Sequence, residues 1–180
     1  ERGQTDGALG KIWQNDTAAA KNSWGYTQGN QFKTVGEILR NMIEVVAKNG
    51  CFMLNIGPKA DGTICDQEKR ILLDIGKWLR VNGEAIYGSY PFEVCAFEGR
   101  KSKNGSFKEN KTFRNGDYCF TVKPGKIFVF PLAETLPQIL KIKSLRFAGE
   151  GGIRYDIKSV RILGQSRELP YKQSEKRFEI

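Results

Sequence analysis

Asn22-Ser23-Trp24-Gly25-Tyr26 and Cys51-Phe52-Met53-Leu54-Asn55-Ile56-Gly57-Pro58 are the two stretches that predict how the first half of this chain folds. The first is a polar, aromatic loop. The second is a short apolar run without alternation, which is typical of a parallel strand covered on both faces, and it ends in Asn-x-Gly-Pro. Because the ends of such strands carry the chemistry of β/α units, we expect functional side chains in both stretches.

A helix is predicted over residues 34–48, between these two stretches. Thr34 and Glu37 are spaced as a capping box, and Asn49-Gly50 supplies a C-terminal stop. A second helix is predicted from Asp66 to Val81, and the residues before the first helix are predicted to form a loop region. The succession of helix, buried strand and helix indicates a parallel α/β sheet or barrel.

In the second half the pattern changes to short apolar runs, many of them alternating, separated by turns. Asn104-Gly105 and Asn115-Gly116 are hairpin signals, and Pro124-Gly125 marks another turn. We therefore predict an α/β part followed by an all-β part, an antiparallel β-sandwich, with residues 1–92 and 93–180 as the two domains. The predicted strands are Phe92–Phe97, Tyr118–Val122, Lys126–Pro131, Ile139–Phe147, Ile153–Leu163 and a C-terminal run around Phe178.

The composition is that of an ordinary globular protein, with 39% hydrophobic and 27% charged residues. No apolar run reaches the roughly 18 residues that a membrane span needs. The net charge of +9 is concentrated in residues 91–180, which carry 18 basic and 10 acidic side chains. These basic residues alternate with apolar ones, as in Lys141–Phe147, which predicts the solvent face of a sheet. Binding of nucleic acid or an anionic polysaccharide is the alternative, and a steep salt dependence would be its mark.

The chain has no histidine and four cysteines. A Ser-His-Asp site, a Cys-His site or a histidine-ligated metal therefore cannot be built from this chain alone. Cys51, Cys65, Cys95 and Cys119 show neither a CxxC pair nor a zinc spacing. We expect buried thiols, with a cross-strand Cys95–Cys119 disulfide as the alternative.

Several motifs in their order along the chain resemble the α-L-fucosidases, the retaining glycoside hydrolases of family 29. The resemblance covers nearly all of residues 1–97. It is carried by Glu1-Arg2-Gly3, Trp13-Gln14-Asn15-Asp16, Ser23-Trp24-Gly25-Tyr26, Leu54–Gly62, and Gly76–Leu79 through Asn82–Gly88. It implies an exo-acting enzyme that releases terminal α-L-fucose from fucosylated glycans, without a metal or organic cofactor, and a secreted, periplasmic or lysosomal location.

The size of the chain bears on which part of such an enzyme it is. A closed (β/α)₈ barrel needs roughly 250 residues, and the first half of this chain has room for about two of its eight units. The alternatives are a small open α/β domain or the last part of a barrel whose other strands precede Glu1. The resemblance favours the second, that is, the end of a barrel followed by a β-sandwich.

Retaining glycoside hydrolysis uses two carboxyl groups, a nucleophile and an acid/base. In the resembled family the nucleophile is an aspartate on an earlier strand that this sequence does not match, so this chain alone is expected to be inactive. The resemblance implies Glu1 as the acid/base. Arg2 beside it is expected to be a substrate-binding residue, which could also orient Glu1 or lower its pKa.

Many members have a glutamate where this chain has Gln14, and in some of them that glutamate has been regarded as the acid/base. A glutamine cannot exchange a proton, so an acid/base site at this position would leave the enzyme crippled. The expectation is instead that Gln14 binds substrate by hydrogen bonds and that the upstream Glu1 is the acid/base.

Trp24 matches the aromatic position that packs against the sugar in this family, where the methyl group of fucose needs an apolar wall. Asn55 is expected to support the floor of the pocket, and Asp61-Gly62 to form a turn. Glu84 is expected to be a hydrogen-bonding residue at the domain junction. A non-catalytic carbohydrate-binding or interaction module is the alternative function.

Overall fold

A computed structural model describes residues 5, 7–93, 109, 112–146 and 155–180 of the 180-residue chain. The first half of the described chain alternates strands and helices, and the second half contains strands. The elements are β1 (Trp13–Ala18), α1 (Val35–Ala47), β2 (Gly50–Asn55), α2 (Asp66–Asn82), a 3₁₀ turn (Gly83–Ala85), β3 (Tyr90–Pro91), β4 (Tyr118–Lys123), β5 (Lys126–Pro131), β6 (Lys141–Ile142), β7 (Lys172–Gln173) and β8 (Phe178–Glu179).

Strands β1 and β2 are parallel neighbours, joined through α1. The predicted capping box begins α1: the Glu37 N–H donates to the Thr34 hydroxyl (3.1 Å), and the Thr34 N–H donates to the Glu37 carboxylate (2.7 Å). Asn49 follows the helix with a φ of 67°, a left-handed conformation that asparagine tolerates. The β-α-β unit that the sequence predicted around α1 is thus present.

Strand β1 corrects the prediction of a loop region before α1. Its sequence, Trp-Gln-Asn-Asp-Thr-Ala, lacks the apolar alternation by which strands are recognised. The burial does alternate in its middle, but the buried positions Asn15 and Thr17 are polar. Parallel pairing of Trp13 with Gly50 through Ala18 with Asn55 satisfies the backbone, so tertiary context overrides the weak local preference.

The two-sided burial predicted for Cys51–Ile56 is also wrong within the described chain. Strand β2 alternates, with one face on α1 and the other carrying Cys51, which is exposed, and Met53, which is 48% exposed. The expectation of a buried thiol therefore fails for Cys51. It holds for Cys119, whereas Cys95 lies outside the described residues, so the Cys95–Cys119 disulfide stays a prediction.

The second half has two small antiparallel sheets, β3-β4-β5 and β6-β8-β7. Hairpin β4–β5 has the predicted bounds to within a residue, and its turn uses Gly125 at a φ of 73°. Among the described residues 139–146 of the predicted strand Ile139–Phe147, only β6 forms, because a turn from Lys143 to Arg146 ends it. Within Ile153–Leu163, residues 155–163 contain only an isolated bridge at Arg161, so this prediction was wrong for them.

A side chain satisfies one carbonyl group in each of these two segments. The Gln173 amide donates to the carbonyls of Leu145 (2.9 Å) and Tyr155 (2.8 Å). These two carbonyls therefore need no ladder partner. Residues 94–97 of the predicted strand Phe92–Phe97 and the Asn104-Gly105 turn lie outside the described residues.

The first core crosses between the two halves of the chain. Ile38, Met42 and Ile75 of the helices belong to the same cluster as Phe128 and Phe130 of β5. A second core lies under the antiparallel sheets and contains Phe92, Tyr118, Phe120, Ile142, Leu145 and Phe178. Among the described residues, no helix is long and apolar enough to cross a membrane.

Candidate functional site at the strand ends

The loop that contains Trp24 leaves the carboxyl end of β1 and returns to begin α1. Its two stems are bonded to each other: the Lys33 N–H donates to the Ala19 carbonyl (2.9 Å), and the Lys21 N–H donates to the Gln31 carbonyl (2.6 Å). We call residues 19–33 the Trp24 loop. Because its stems are closed by backbone bonds, this long connection has a defined shape at the strand end.

Asparagine side chains hold the interior of the Trp24 loop. Asn22 accepts from the Gln31 N–H (2.9 Å) and donates to the Gly29 carbonyl (3.0 Å). Asn30 donates to the Gly25 carbonyl (3.2 Å). These side-chain bonds hold the loop in place of a sheet ladder. Trp24 is 40% exposed.

The Trp24 loop docks onto the end of β2 through backbone contacts. The Asn55 amide donates to the Trp24 carbonyl at 2.6 Å. Gly57 lies against the loop so closely that a Cβ there would be 2.6 Å from the Tyr26 nitrogen. The expected supporting role of Asn55 thus has a specific contact, and the glycine of Asn-x-Gly-Pro permits the close approach.

Glu68 is a further part of this strand end that the sequence analysis did not single out. It lies in the first turn of α2, is 1% exposed, and accepts a hydrogen bond from the Gly57 N–H (3.0 Å). The Cys65 sulfur is 3.6 Å from its other oxygen. The sequence did contain a signal for Glu68. It lies three residues after Cys65, the N-cap of α2, and the N-terminus of a helix favours a carboxylate.

The turn after β2 has the predicted form. The Thr63 N–H and hydroxyl both donate to the Asp61 carboxylate (2.9 and 2.7 Å), and these bonds, the hydroxyl's first, lower the pKa of Asp61. Lys59 in the same turn places its ammonium 5.8 Å from the centre of the Tyr26 ring, a cation–π geometry. The turn and the Trp24 loop therefore meet at one rim.

The four site residues named from the sequence fall in different places. Trp24 lies at the strand end. Gln14 is exposed on β1, where its amide donates to the Asp16 carboxylate (2.7 Å); at about 3.3 Å per residue it lies about 13 Å before the strand end at Ala18. Glu1 and Arg2 lie outside the described residues. No cluster of metal-ligating side chains occurs in the part of the chain that the structure describes.

Glu84 contacts the second half of the chain, as expected of a junction residue. Its carboxylate accepts a hydrogen bond from the Lys126 ammonium of β5 at 2.5 Å, and this contact is the main reason why its pKa is lowered. Both side chains are about half exposed. Glu84 thus makes a surface contact between the 3₁₀ turn and β5.

Comparison with known proteins gives one consistent result. The family profile described as Alpha-L-fucosidase matches residues 1–84. The tissue alpha-L-fucosidase of Rattus norvegicus is 40% identical over 85 residues, which are 46% of this chain and 18% of that protein. The plasma alpha-L-fucosidase of the same species is 29% identical over 165 residues, 90% of this chain and 32% of that protein.

The fold is also similar to that of solved alpha-fucosidase structures. The crystal structure of Thermotoga maritima alpha-fucosidase in complex with fucose superposes with a TM-score of 0.75 and 27% identity, covering 98% of this chain and 36% of that one. The alpha-L-fucosidase isoenzyme 1 of Paenibacillus thiaminolyticus has the same fold, with a TM-score of 0.72 at 22% identity. The chain thus spans only part of the length of each of these relatives.

Proposed function

Because residues 1–84 match the Alpha-L-fucosidase family profile and are similar to curated alpha-L-fucosidases, we propose that the full-length protein releases terminal α-L-fucose from glycans. The observation that carries the proposal is the docking of the Trp24 loop on the end of β2 through the 2.6 Å Asn55–Trp24 bond. It holds a half-exposed aromatic ring at the carboxyl ends of parallel strands, which is where barrel enzymes bind their substrates. The fucose-bound Thermotoga maritima relative supports it.

The fold that we propose for the full-length protein is a (β/α)₈ barrel with a C-terminal β-sandwich. The parallel unit of β1, α1, β2 and α2 would supply the end of the barrel, within residues 1–92. Gln14, Cys51 and Met53 lie on the face of β1–β2 that is open in this chain, and in a barrel that face would line the interior. The two antiparallel sheets would form the sandwich, within residues 93–180.

Trp24 is proposed to contact the sugar. Fucose lacks a hydroxyl at C6, so its methyl group gains from an apolar neighbour, and burying one methyl contributes about 0.8 kcal/mol. The indole is 40% exposed although its backbone carbonyl is held by Asn55. A ring that is fixed at its backbone and open on its surface can accept a ligand without first leaving a core.

The mechanism that we propose is double displacement by two carboxyl groups about 5–5.5 Å apart. Glu1 is assigned the acid/base role, which contributes roughly 10²–10⁴ in rate, and Arg2 would orient it. The nucleophilic aspartate is assigned to a segment outside this sequence. Gln14 cannot exchange a proton, and its position about 13 Å before the end of β1 does not support a contact with a sugar bound at the strand ends. Glu68 is buried and already accepts from Gly57, so it is unsuited to either carboxylate role.

The test is hydrolysis of an aryl α-L-fucoside by the full-length protein and its Glu1→Gln variant. Because an aryl leaving group needs little acid assistance, the variant is expected to form the glycosyl-enzyme and stall in its hydrolysis. Added azide would then restore turnover as fucosyl azide, since an anionic nucleophile needs no general base.

The matched control is Glu84→Gln, which removes a surface carboxylate paired with Lys126 and is expected to keep parental activity. A fully active Glu1→Gln variant would assign the acid/base role elsewhere. An inactive parent that still binds a fucosylated glycan would replace the proposal with the carbohydrate-binding module.

A further inference from the structure

Glu109 comes from the second half of the chain, but its carboxylate lies among side chains of the first. Its Oε1 accepts from the Thr17 hydroxyl (2.7 Å) and the Asn41 amide (3.0 Å). The Lys33 ammonium lies 3.1 Å from each carboxylate oxygen and also donates to the Thr17 hydroxyl. We call these four residues the Glu109 cluster.

The Glu109 cluster is screened from solvent. Thr17 and Asn41 are buried, and the side chains of Lys33 and Glu109 are 9% and 16% exposed. A carboxylate loses its hydration in such a place and must recover it from protein donors. Three donors from three elements (β1, the Trp24 loop and α1) converge on this one carboxylate, so its position and theirs depend on each other.

The cluster lies at the foot of the Trp24 loop. Thr17 precedes the first stem, which begins at Ala19, and Lys33 ends the second stem and donates its N–H to the Ala19 carbonyl (2.9 Å). Ala19 in turn donates its N–H to the Asn55 carbonyl (2.9 Å). The Glu109 carboxylate therefore joins the end of β1 to the second stem at the point where the loop is attached to the strand ends.

We propose that Glu109 is a positioning residue for the Trp24 loop, acting through Lys33 and Thr17. A side chain of the second half thereby fixes the orientation of a loop that belongs to the first half. The consequence for fucose binding rests on the proposed function, whereas the effect on the loop itself does not.

Hydrogen exchange in the full-length protein tests this directly. In Glu109→Gln an amide group, which donates, replaces an oxygen that faces the Lys33 ammonium. Peptides covering residues 19–33 are expected to exchange about tenfold faster, while those from β4 and β5 are unchanged. Glu134→Gln is the matched control, since Glu134 pairs with Arg40 of α1 at 3.6 Å but is 83% exposed, and it should leave residues 19–33 at the parental rate.

An isosteric variant, Thr17→Val, keeps the test decisive if Glu109→Gln does not fold. It removes the hydroxyl that bonds both Lys33 and Glu109, and the same selective acceleration is expected at smaller size. Equal acceleration throughout the chain, or unchanged exchange in residues 19–33, would refute the positioning role in either variant.

Kinetics separate this inference from the proposed function. If the loop positions Trp24 against fucose, Glu109→Gln raises KM for an aryl α-L-fucoside by about tenfold and changes kcat by less than about threefold, because the contact is made in both ground and transition states. An inactive parent with the selective exchange effect would reject the fucosidase and keep the positioning role. If the parent is active, and the Glu109→Gln variant keeps the parental KM and exchanges equally faster throughout the chain, the fucosidase is kept and the positioning role is rejected.

Discussion

At the strand ends, side chains hold single backbone groups of the Trp24 loop and of the segment that follows β2. Asn55 binds the Trp24 carbonyl, and Glu68 binds the Gly57 N–H. Neither contact requires a particular side chain on the loop residue it holds. These backbone contacts therefore do not determine that residue 24 is a tryptophan, which depends on what its ring contacts. At Gly57 the constraint is purely steric, because a Cβ there would collide with the Trp24 loop.

Gly57 and Gly76 are expected to respond oppositely to alanine. At Gly57 a new Cβ would lie 2.6 Å from the Tyr26 nitrogen and 2.7 Å from the Gly25 carbonyl carbon. Both are backbone atoms, so the Trp24 loop must shift, and we expect a loss of about 1–3 kcal/mol in the free energy of unfolding. Gly76 lies inside α2 with nothing within 4 Å, so Gly76→Ala should gain about 0.5–1 kcal/mol.

Urea unfolding of the two variants and the parent measures both free energies. A Gly57→Ala protein as stable as the parent would mean that the loop does not pack on the end of β2. Gly76→Ala shows whether an added methyl group is tolerated where the structure leaves space for it.

Among the elements, those whose signal is local were predictable, and those that depend on distant partners were not. The capping box of α1 and the turn at Gly125 are set by neighbouring residues, and both occur as predicted. Strand β1 has a polar sequence, and its pairing with β2 is set across α1. The contacts of Glu109 were harder still to predict, because nothing in the sequence around it indicates that its carboxylate binds Thr17 and Lys33.

The capping box of α1 should make stability depend on pH. Partial burial raises the pKa of Glu37, but the Thr34 N–H and the Lys21 ammonium outweigh it and hold this pKa below its usual 4.5. A carboxyl whose pKa is lowered by folding stabilises the folded state above its unfolded pKa, and this contribution is lost as the pH falls through the folded value. Glu37→Gln should therefore be less stable than the parent at pH 7, with a difference that shrinks below pH 4.5.

Thr34→Ala is the matched control, because the hydroxyl it removes does not titrate. It is expected to cost about 1 kcal/mol at pH 7. This cost should shrink less in acid than that of Glu37→Gln, because the Thr34 hydroxyl is the last of the groups that lower the pKa of Glu37. Thermal unfolding of the parent and both variants at pH 7 and in mild acid measures these differences. A Glu37→Gln deficit that persists undiminished in acid would show that the carboxylate's charge contributes nothing to the cap.

At the scale of the whole molecule, the two halves share a core and a polar contact. Leu132, which is 1% exposed, belongs to the same cluster as Ile38 and Met42 of α1, and its carbonyl accepts from the Arg40 guanidinium (2.8 Å). The sequence divides at about residue 92 by its pattern of elements. Packing across this division couples the stability of the two halves. The change in the hydrophobic pattern of the sequence near residue 92 does not reveal this coupling.

Leu132→Ala should therefore destabilise α1 as well as the β4–β5 hairpin. Truncating a buried leucine costs about 2–5 kcal/mol, and the lost contacts lie on both sides of the division. The control is Ile142→Ala, at a residue of equal burial in the second core. Hydrogen exchange should then show α1 amides opening faster in Leu132→Ala than in Ile142→Ala, whereas protection of α1 at the parental level in both variants would mean that the halves unfold independently. Faster opening of α1 would also place the Glu109 cluster within the same cooperative unit, because Asn41 projects from that helix onto Glu109.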